Sequence, residues 1–124
     1  MSHTASIGCG AYVNALSVIG AGVSVGCHAN INRSVSIGHH STIGNFVTIG
    51  PGTHIASFCQ IGHGTRVGVG AVILPSVKIG ENCLIGAGAV VTKDVKSDLV
   101  MVGNPARPLR PQPEWKELDS CPNC

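Results

Sequence analysis

The chain has 124 residues, with 17 Gly and 7 Pro, and it is 44% hydrophobic but only 3% aromatic and 11% charged. Its length suits one domain, and its Ile and Val content excludes a disordered chain. No apolar stretch approaches the roughly 18 residues of a membrane span. A net charge of +2 does not suit a dedicated nucleic-acid binder. We therefore expect a soluble, cytoplasmic domain with neither a nucleic-acid nor a membrane partner.

A period of six residues runs through the first 96 residues. Every sixth residue from Ile7 to Val91 is Ile or Val, and glycine often follows it. Counting that aliphatic residue as position 1 of a six-residue repeat (hexad), position 5 is small or β-branched, as in Ala11 and Ser17. A helix needs a period near 3.6 and a lone strand a period of two, so this pattern predicts short strands joined by tight corners. Glycine suits the corners through close backbone approach or a positive φ.

Three hexads make a coil of 18 residues, and coils stack at roughly 4.8 Å. Residues 18 apart in the sequence should therefore lie in one column. We predict an all-β fold, a single-stranded parallel β-helix of about five coils over residues 1–96. A Pro-rich tail over residues 97–124 is expected to cover the last coil, with one helical turn at residues 113–118.

The repeats resemble those of the hexapeptide-repeat acyltransferases. Three segments are similar to the sugar O- and N-acetyltransferases of the sialic acid and bacillosamine pathways: IGHHSTIGNFVTIGPGT (37–53), IGAGAVVTKDV (85–95) and VGNPAR (102–107). The resemblance implies a left-handed β-helix, a homotrimer, and transfer of an acetyl group from acetyl-CoA to an amino or hydroxyl group of a sugar. Relatives usually carry a nucleotide-sugar domain before the helix. We expect this chain to lack it, since the repeat opens at Met1.

The resemblance also makes His39 the candidate general base. A neutral imidazole can take the proton of an amine or hydroxyl near neutral pH, and backbone N–H groups can bind the oxyanion. The family commonly has an acidic residue before this histidine and Asp after it, whereas this chain has Gly38 and His40. His40 is a second catalytic candidate, orienting His39 or contacting substrate. The alternative for both is an exposed corner histidine without a catalytic role.

Six of the eight Lys and Arg residues lie between positions 66 and 110. Lys78 and Lys96 are 18 apart and are expected to stack with no acid in their column, and Lys93 should lie on the same side as His39. Coenzyme A laid along the axis, with its thioester at His39, would bring its phosphates to these cations. A solvated face is the alternative. The predicted cofactor-binding residues are Ser57, Lys78, Lys93, Lys96 and Arg107.

Two other classes of function fit the repeat. One is an inactive β-helix that serves as a structural or assembly module, which Gly38 favours. The other is a zinc enzyme like the β-helical carbonic anhydrases, which place two histidines in one column and a third five residues after the second. His3 and His39 share a column, but position 44 is glycine. We therefore expect no metal.

The six cysteines are expected to be reduced thiols. Cys59 and Cys83 stand at the small inward position, where a thiol behaves as a small apolar group. Cys9 and Cys27 lie in one outward column, close enough for a disulfide in principle. The pair in the C-terminal CPNC sequence has no assigned role.

Overall fold

The computed structural model describes residues 4–113, a part of the chain that contains strands and turns. Fifteen two-residue strands recur every six residues: β1 (Ser6–Ile7), β2 (Tyr12–Val13), β3 (Val18–Ile19), β4 (Ser24–Val25), β5 (Asn30–Ile31), β6 (Ser36–Ile37), β7 (Thr42–Ile43), β8 (Thr48–Ile49), β9 (His54–Ile55), β10 (Gln60–Ile61), β11 (Arg66–Val67), β12 (Val72–Ile73), β13 (Lys78–Ile79), β14 (Leu84–Ile85) and β15 (Val90–Val91). Two longer strands follow, β16 (Leu99–Val102) and β17 (Arg107–Pro111). Within residues 4–113 there is no helix of the length and apolarity that crossing a membrane requires.

The short strands form three parallel sheets, one on each side of a β-helix. Sheet A contains β1, β4, β7, β10 and β13; sheet B contains β2, β5, β8, β11, β14, β16 and β17; sheet C contains β3, β6, β9, β12 and β15. Paired residues are one coil apart, as in Ile43 with Ile61 and Ile37 with Ile55. The predicted all-β solenoid of about five coils is confirmed.

Two inward positions of each hexad fill the interior. Position 1 supplies a ladder of buried aliphatic side chains, such as Ile49 and Ile85, and position 5 supplies the smaller residues between them. A buried hydroxyl at position 5 both donates and accepts a hydrogen bond. Ser41 Oγ donates to the Ala56 carbonyl at 2.9 Å and accepts from the Cys59 N–H at 3.1 Å. Because its hydrogen bonds are made within the core, a polar side chain is tolerated there.

The two reasons for glycine at the corners, close backbone approach and a positive φ, apply to different positions of the hexad. Position 4 has a positive φ in every hexad from Gly10 to Gly88, and the residues there are eight non-glycines and six glycines. The glycines at position 2 have no positive φ, but a Cβ at Gly62 would lie 2.5 Å from the carbonyl carbon of Gly80. Where position 2 is glycine, close contact between coils therefore excludes a side chain, whereas the left-handed conformation occurs at position 4.

The last coil is two residues shorter than the others. Val91 pairs with Ile73 at the usual spacing of one 18-residue coil. Val95 then pairs with Ile79, a spacing of 16. The hexad that begins at Val91 therefore lacks its corner, and every later residue sits two columns further on than a strict repeat predicts.

This shortening changes the charge on sheet A. Asp94, not Lys96, is aligned with Lys78, and its Oδ1 accepts a hydrogen bond from the Lys78 backbone N–H at 2.9 Å. Lys96 instead follows Val95 and is aligned with Gly80. The prediction that Lys78 and Lys96 stack in a column free of acids is wrong, because the shortened coil moves Asp94 into that column.

The chain leaves the β-helix through a two-stranded extension. β16 pairs with β14 in parallel, and β17 returns antiparallel to β16. Asn82, buried at the edge of the helix, donates from Nδ2 to Asp98 Oδ1 at 2.6 Å and to the Pro113 carbonyl at 3.2 Å. The division between residues 96 and 97 stays a prediction. The predicted helical turn lies outside the described residues except for Pro113.

Gly62→Ala is expected to lower the free energy of unfolding by about 3 kcal/mol or more, because the new Cβ meets backbone that cannot rotate away. Gly52→Ala is the matched control, since it stands at φ +71 with no atom within 4 Å of its Cβ. Its strain should cost only about 1–2 kcal/mol. Urea unfolding of both variants measures the difference. Equal losses would contradict the contact between coils as the reason for glycine at position 2.

Candidate active site

The turn between β6 and β7 carries two histidines on the outside of the β-helix, and we call it the His39 corner. His39 stands at position 3 and His40 at position 4, and both side chains are exposed. Ile37 and Ile43 on either side are buried, so the two strands fix the ends of the turn. His40 has the left-handed conformation of position 4, with φ 59.

The two imidazoles contact each other through their Nδ1 atoms. His39 Nδ1 lies 3.0 Å from His40 Nδ1, and the ring planes are nearly perpendicular at 88°. With both rings neutral, a hydrogen bond here needs one ring to donate and the other to accept. When His39 donates from Nδ1, its Nε2 is an unprotonated base. When His39 accepts, its Nε2 carries the proton.

Phe58 completes the cluster from the following coil. Its ring is stacked on His40, with centroids 5.4 Å apart and planes within 9°. It meets His39 edge to face, with centroids 5.1 Å apart. Phe58 was not among the residues expected from the sequence, although its spacing of one coil from His40 was the signal that could have found it.

The backbone beside the His39 corner offers an unpaired donor. Ser57 lies one coil on, against Gly38, whose Cβ would be 2.5 Å from the Ser57 nitrogen. At three other corners of the described chain a position-3 side chain accepts from the equivalent N–H, as Asn45 Oδ1 does from Cys27 at 2.9 Å. Pro75 follows Ser57 in this column and has no such acceptor. Within residues 4–113 no group accepts from the Ser57 N–H.

Gly38 is explained by the same contact. Any side chain at position 38 would run into the backbone of Ser57 on the next coil. An acidic residue before His39, common in the family this chain resembles, cannot be accommodated unless the corner moves. The absence of a carboxylate at this position is therefore a consequence of how tightly these coils pack.

A groove of about 680 Å³ runs along the outer face of sheet A, and its first residue, Thr42, follows His40 by two positions. One side of the groove is the outward row of sheet A, formed by Thr42, Gln60, Lys78 and Asp94. Its floor includes the backbone of Gly62 and Gly80. From Thr42 to Asp94 the row climbs three coil steps, roughly 14 Å. Lys78 and Lys96 both line the groove, opposed by the carboxylates of Asp94 and Glu81.

A second cleft, of about 360 Å³, lies at the end of the β-helix. Lys93, Lys96 and Arg107 line it together with Asp94, so cations outnumber carboxylates. Three of the five predicted cofactor residues therefore come together here. Lys78 lies in the sheet A groove and Ser57 at the His39 corner, so the five do not share one site.

Comparison with known proteins agrees with this architecture. Residues 40–74 and 58–93 match the sequence model of the bacterial transferase hexapeptide (six repeats). The acetyltransferase domain of PglB from Neisseria gonorrhoeae FA1090, solved with acetyl coenzyme A, has a TM-score of 0.86 and 34% identity over 87% of this chain and 53% of that chain. Residues 40–93 thus carry the hexapeptide repeats of bacterial transferases, and the fold is similar to that of an acetyltransferase domain. The chain spans about half the length of the PglB domain.

Other solved acetyltransferases with a similar fold have different acceptors. A maltose O-acetyltransferase from Clostridium difficile 630 has a TM-score of 0.78 and 28% identity, covering 88% of this chain and 70% of that one. A mutant perosamine N-acetyltransferase from Caulobacter crescentus, with CoA and GDP-perosamine, has a TM-score of 0.55 and 28% identity over 85% and 57%. Among curated proteins, no sequence matches the chain significantly.

The other described histidines do not join the His39 corner. His28 stacks on Phe46 with centroids 5.3 Å apart, and His63 Nδ1 accepts from the Asn45 N–H at 2.8 Å. Over residues 4–113, no group of three or more His, Cys, Asp or Glu side chains could hold a metal ion. His3, considered above as a zinc ligand, lies outside the described residues.

Two cysteines occupy the interior as predicted. Cys59 and Cys83 are buried, and burial raises the pKa of both thiols. Cys59 Sγ donates to the Leu74 carbonyl and Cys83 Sγ to the Lys96 carbonyl, each at 3.1 Å. A buried thiol with a raised pKa is a poor nucleophile at neutral pH, so neither is a candidate catalytic group.

The outward cysteines differ from the expectation. Cys27 is disulfide-bonded, whereas Cys9 is free and exposed. The prediction that all six cysteines are reduced is therefore wrong for Cys27, and the bond between Cys9 and Cys27 that the column spacing allows is not formed. Cys121 and Cys124 lie outside the described residues.

Proposed function

We propose that the protein transfers an acetyl group from acetyl-CoA to an amino or hydroxyl group of a sugar, free or nucleotide-linked, with His39 as general base. The observation that carries the proposal is the presence, at one corner, of the exposed His39 imidazole and the unpaired Ser57 N–H of the next coil. The similarity to the PglB domain, which binds acetyl coenzyme A, supports this reaction class.

The chemistry follows from these groups. His39 Nε2 takes the proton of the acceptor amine or hydroxyl as its nitrogen or oxygen attacks the thioester carbonyl. The Ser57 N–H donates to the oxyanion that develops there. When the tetrahedral intermediate collapses, the C–S bond breaks and the thiolate of coenzyme A takes the proton from His39. The acetyl group has then moved from sulfur to the acceptor, and His39 is neutral again.

The groove and the cleft suit the two parts of the cofactor. The groove has a glycine floor, nearly balanced charges and a row of roughly 14 Å, which suits the extended, uncharged pantetheine arm. The cleft with Lys93, Lys96 and Arg107 suits the phosphates, because its cations outnumber its carboxylates. Lys78 lies between them along the path.

We also propose a homotrimer that associates through sheet C. Its outward row carries no charge in the described chain: Val18, Ser36, His54, Val72 and Val90. The corresponding rows of sheets A and B include Lys78 and Arg66. Three of these five residues are valines, so the row offers an uncharged and mostly aliphatic strip of surface for a subunit contact. Cyclic symmetry would repeat the contact three times and bring the sheet A groove beside a neighbouring subunit.

His39→Ala is expected to lower kcat by about 10²–10⁴-fold, because it removes the base. The assay is thiol release from acetyl-CoA with a panel of free and nucleotide-linked amino sugars. His28→Asn, which removes an exposed histidine from another corner, should leave the rate unchanged. Release that survives in His39→Ala would move the base elsewhere. If no acceptor supports release and coenzyme A does not bind, a structural role replaces the enzyme.

Lys93→Gln and Arg107→Gln are each expected to raise KM for acetyl-CoA about tenfold or more, since each removes a charge-assisted hydrogen bond to phosphate. KM for acetyl-pantetheine, which lacks the phosphates, should not change. Arg33→Gln is the control, an exposed cation remote from the cleft. An equal rise in KM for both thioesters would show that the cleft does not hold the phosphates.

Val72→Glu is expected to dissociate the trimer, because it places three carboxylates in the subunit contacts. Thr48→Glu, at the equivalent outward position of sheet B, is the control. Light scattering after size-exclusion chromatography gives the mass of each. A wild-type mass of one chain, or a trimer that persists in Val72→Glu, would count against sheet C as the interface.

A further inference from the structure

We propose that His40 is the positioning residue for His39: its neutral imidazole accepts the His39 Nδ1 proton and so keeps His39 Nε2 free to act as base. The catalytic part of this inference rests on the proposed acetyl transfer. The choice of tautomer is a property of the folded chain and can be measured without any reaction.

The contact at His39 Nδ1 is the first observation. Within residues 4–113, the His40 imidazole is the polar side chain that reaches this atom, at 3.0 Å, and no carboxylate does. Gly38 leaves no space for an acidic side chain on the other side, since the Ser57 backbone fills it. A base whose Nδ1 proton has no acceptor samples both tautomers, and one of them has no lone pair on Nε2. At this corner the acceptor that can choose between them is the imidazole of His40.

The packing of His40 is the second, independent observation. Its ring lies between two neighbours of its own column, the stacked ring of Phe58 on one coil and Gly22 on the other. A Cβ on Gly22 would lie 2.8 Å from His40 Cδ2, so a side chain at position 22 would collide with the imidazole ring. The imidazole is thus held on both faces and presents Nδ1 to His39. His28 is packed in the same way between Gly10 and Phe46, but Cys27 precedes it, so that ring has no neighbouring histidine to position.

The histidine pair differs chemically from a histidine–carboxylate pair. When His39 takes the acceptor proton on Nε2, it becomes an imidazolium whose Nδ1–H still bonds to the lone pair of His40 Nδ1. Neutral His40 orients this cation without neutralising it, so the cation gives its proton readily to the departing thiolate. The proton taken from the acceptor leaves with the thiol of coenzyme A, so both histidines end the reaction neutral, as they began.

Two substitutions at position 40 separate the hydrogen bond from the backbone. His40→Gly relieves the positive φ and removes the acceptor, whereas His40→Asn keeps an acceptor oxygen on a residue that tolerates this conformation. We expect kcat to fall about 100-fold in His40→Gly with KM for acetyl-CoA unchanged, and to recover most of that loss in His40→Asn. His28→Asn, also at a left-handed position with a stacked phenylalanine, should change neither.

The tautomer is read from the ¹⁵N shifts of the imidazole rings by NMR. In the wild type we expect His39 protonated on Nδ1, with a mixture of tautomers or Nε2 protonation in His40→Gly. His39 protonated on Nε2 in the wild type, or unaffected by His40→Gly, would overturn the proposal. So would equal kcat in the glycine and asparagine variants. If the wild type transfers no acetyl group while the tautomers behave as expected, the proposed function fails and the positioning contact stands.

Discussion

Successive coils are held together by backbone hydrogen bonds that leave almost no space between them. The Thr42 N–H donates to the Cys59 carbonyl at 2.8 Å and the Gly44 N–H to the Ile61 carbonyl at 2.9 Å, and the same bonds recur along all three sheets. This spacing excludes a Cβ from most position 2 sites and aligns the buried aliphatic residues in a ladder. The same spacing decides which surface residues are in contact, because each outward side chain packs against the residue 18 positions away on the neighbouring coil.

The candidate active site is a product of that stacking. His39 and His40 come from one coil, and the Phe58 ring and the Ser57 N–H come from the next. Corners are where such groups can meet, because the position-3 N–H is not used by the sheets. A similar stack of His28 on Phe46 occurs at another corner, but a cysteine stands where the base would be. The stack alone is therefore not a catalytic arrangement.

The shortened last coil decides how charge is distributed around the cofactor path. It brings Asp94 over Lys78, which leaves the sheet A groove nearly balanced in charge. It also turns Lys93 and Lys96 towards Arg107 at the end of the helix. A polyphosphate is attracted to the second environment more than to the first. A small change in register thereby separates a cationic cleft from the long groove on sheet A.

The sequence by itself determined the fold, because a six-residue period with a buried aliphatic at each first position is compatible with little else. The strict repeat also assigned Cys59 and Cys83 to the interior, whereas His39 and His40 became catalytic candidates through the resemblance of residues 37–53 to a known family. What the period could not show was where it fails. The loss of two residues after Val91 follows from how the chain closes its last coil, and only the folded structure revealed Asp94 over Lys78. Phe58 lay in a predicted column, but the sequence does not encode the ring orientations that join it to the histidines. Those orientations depend on packing between coils, and a column assignment contains no distance or angle between side chains.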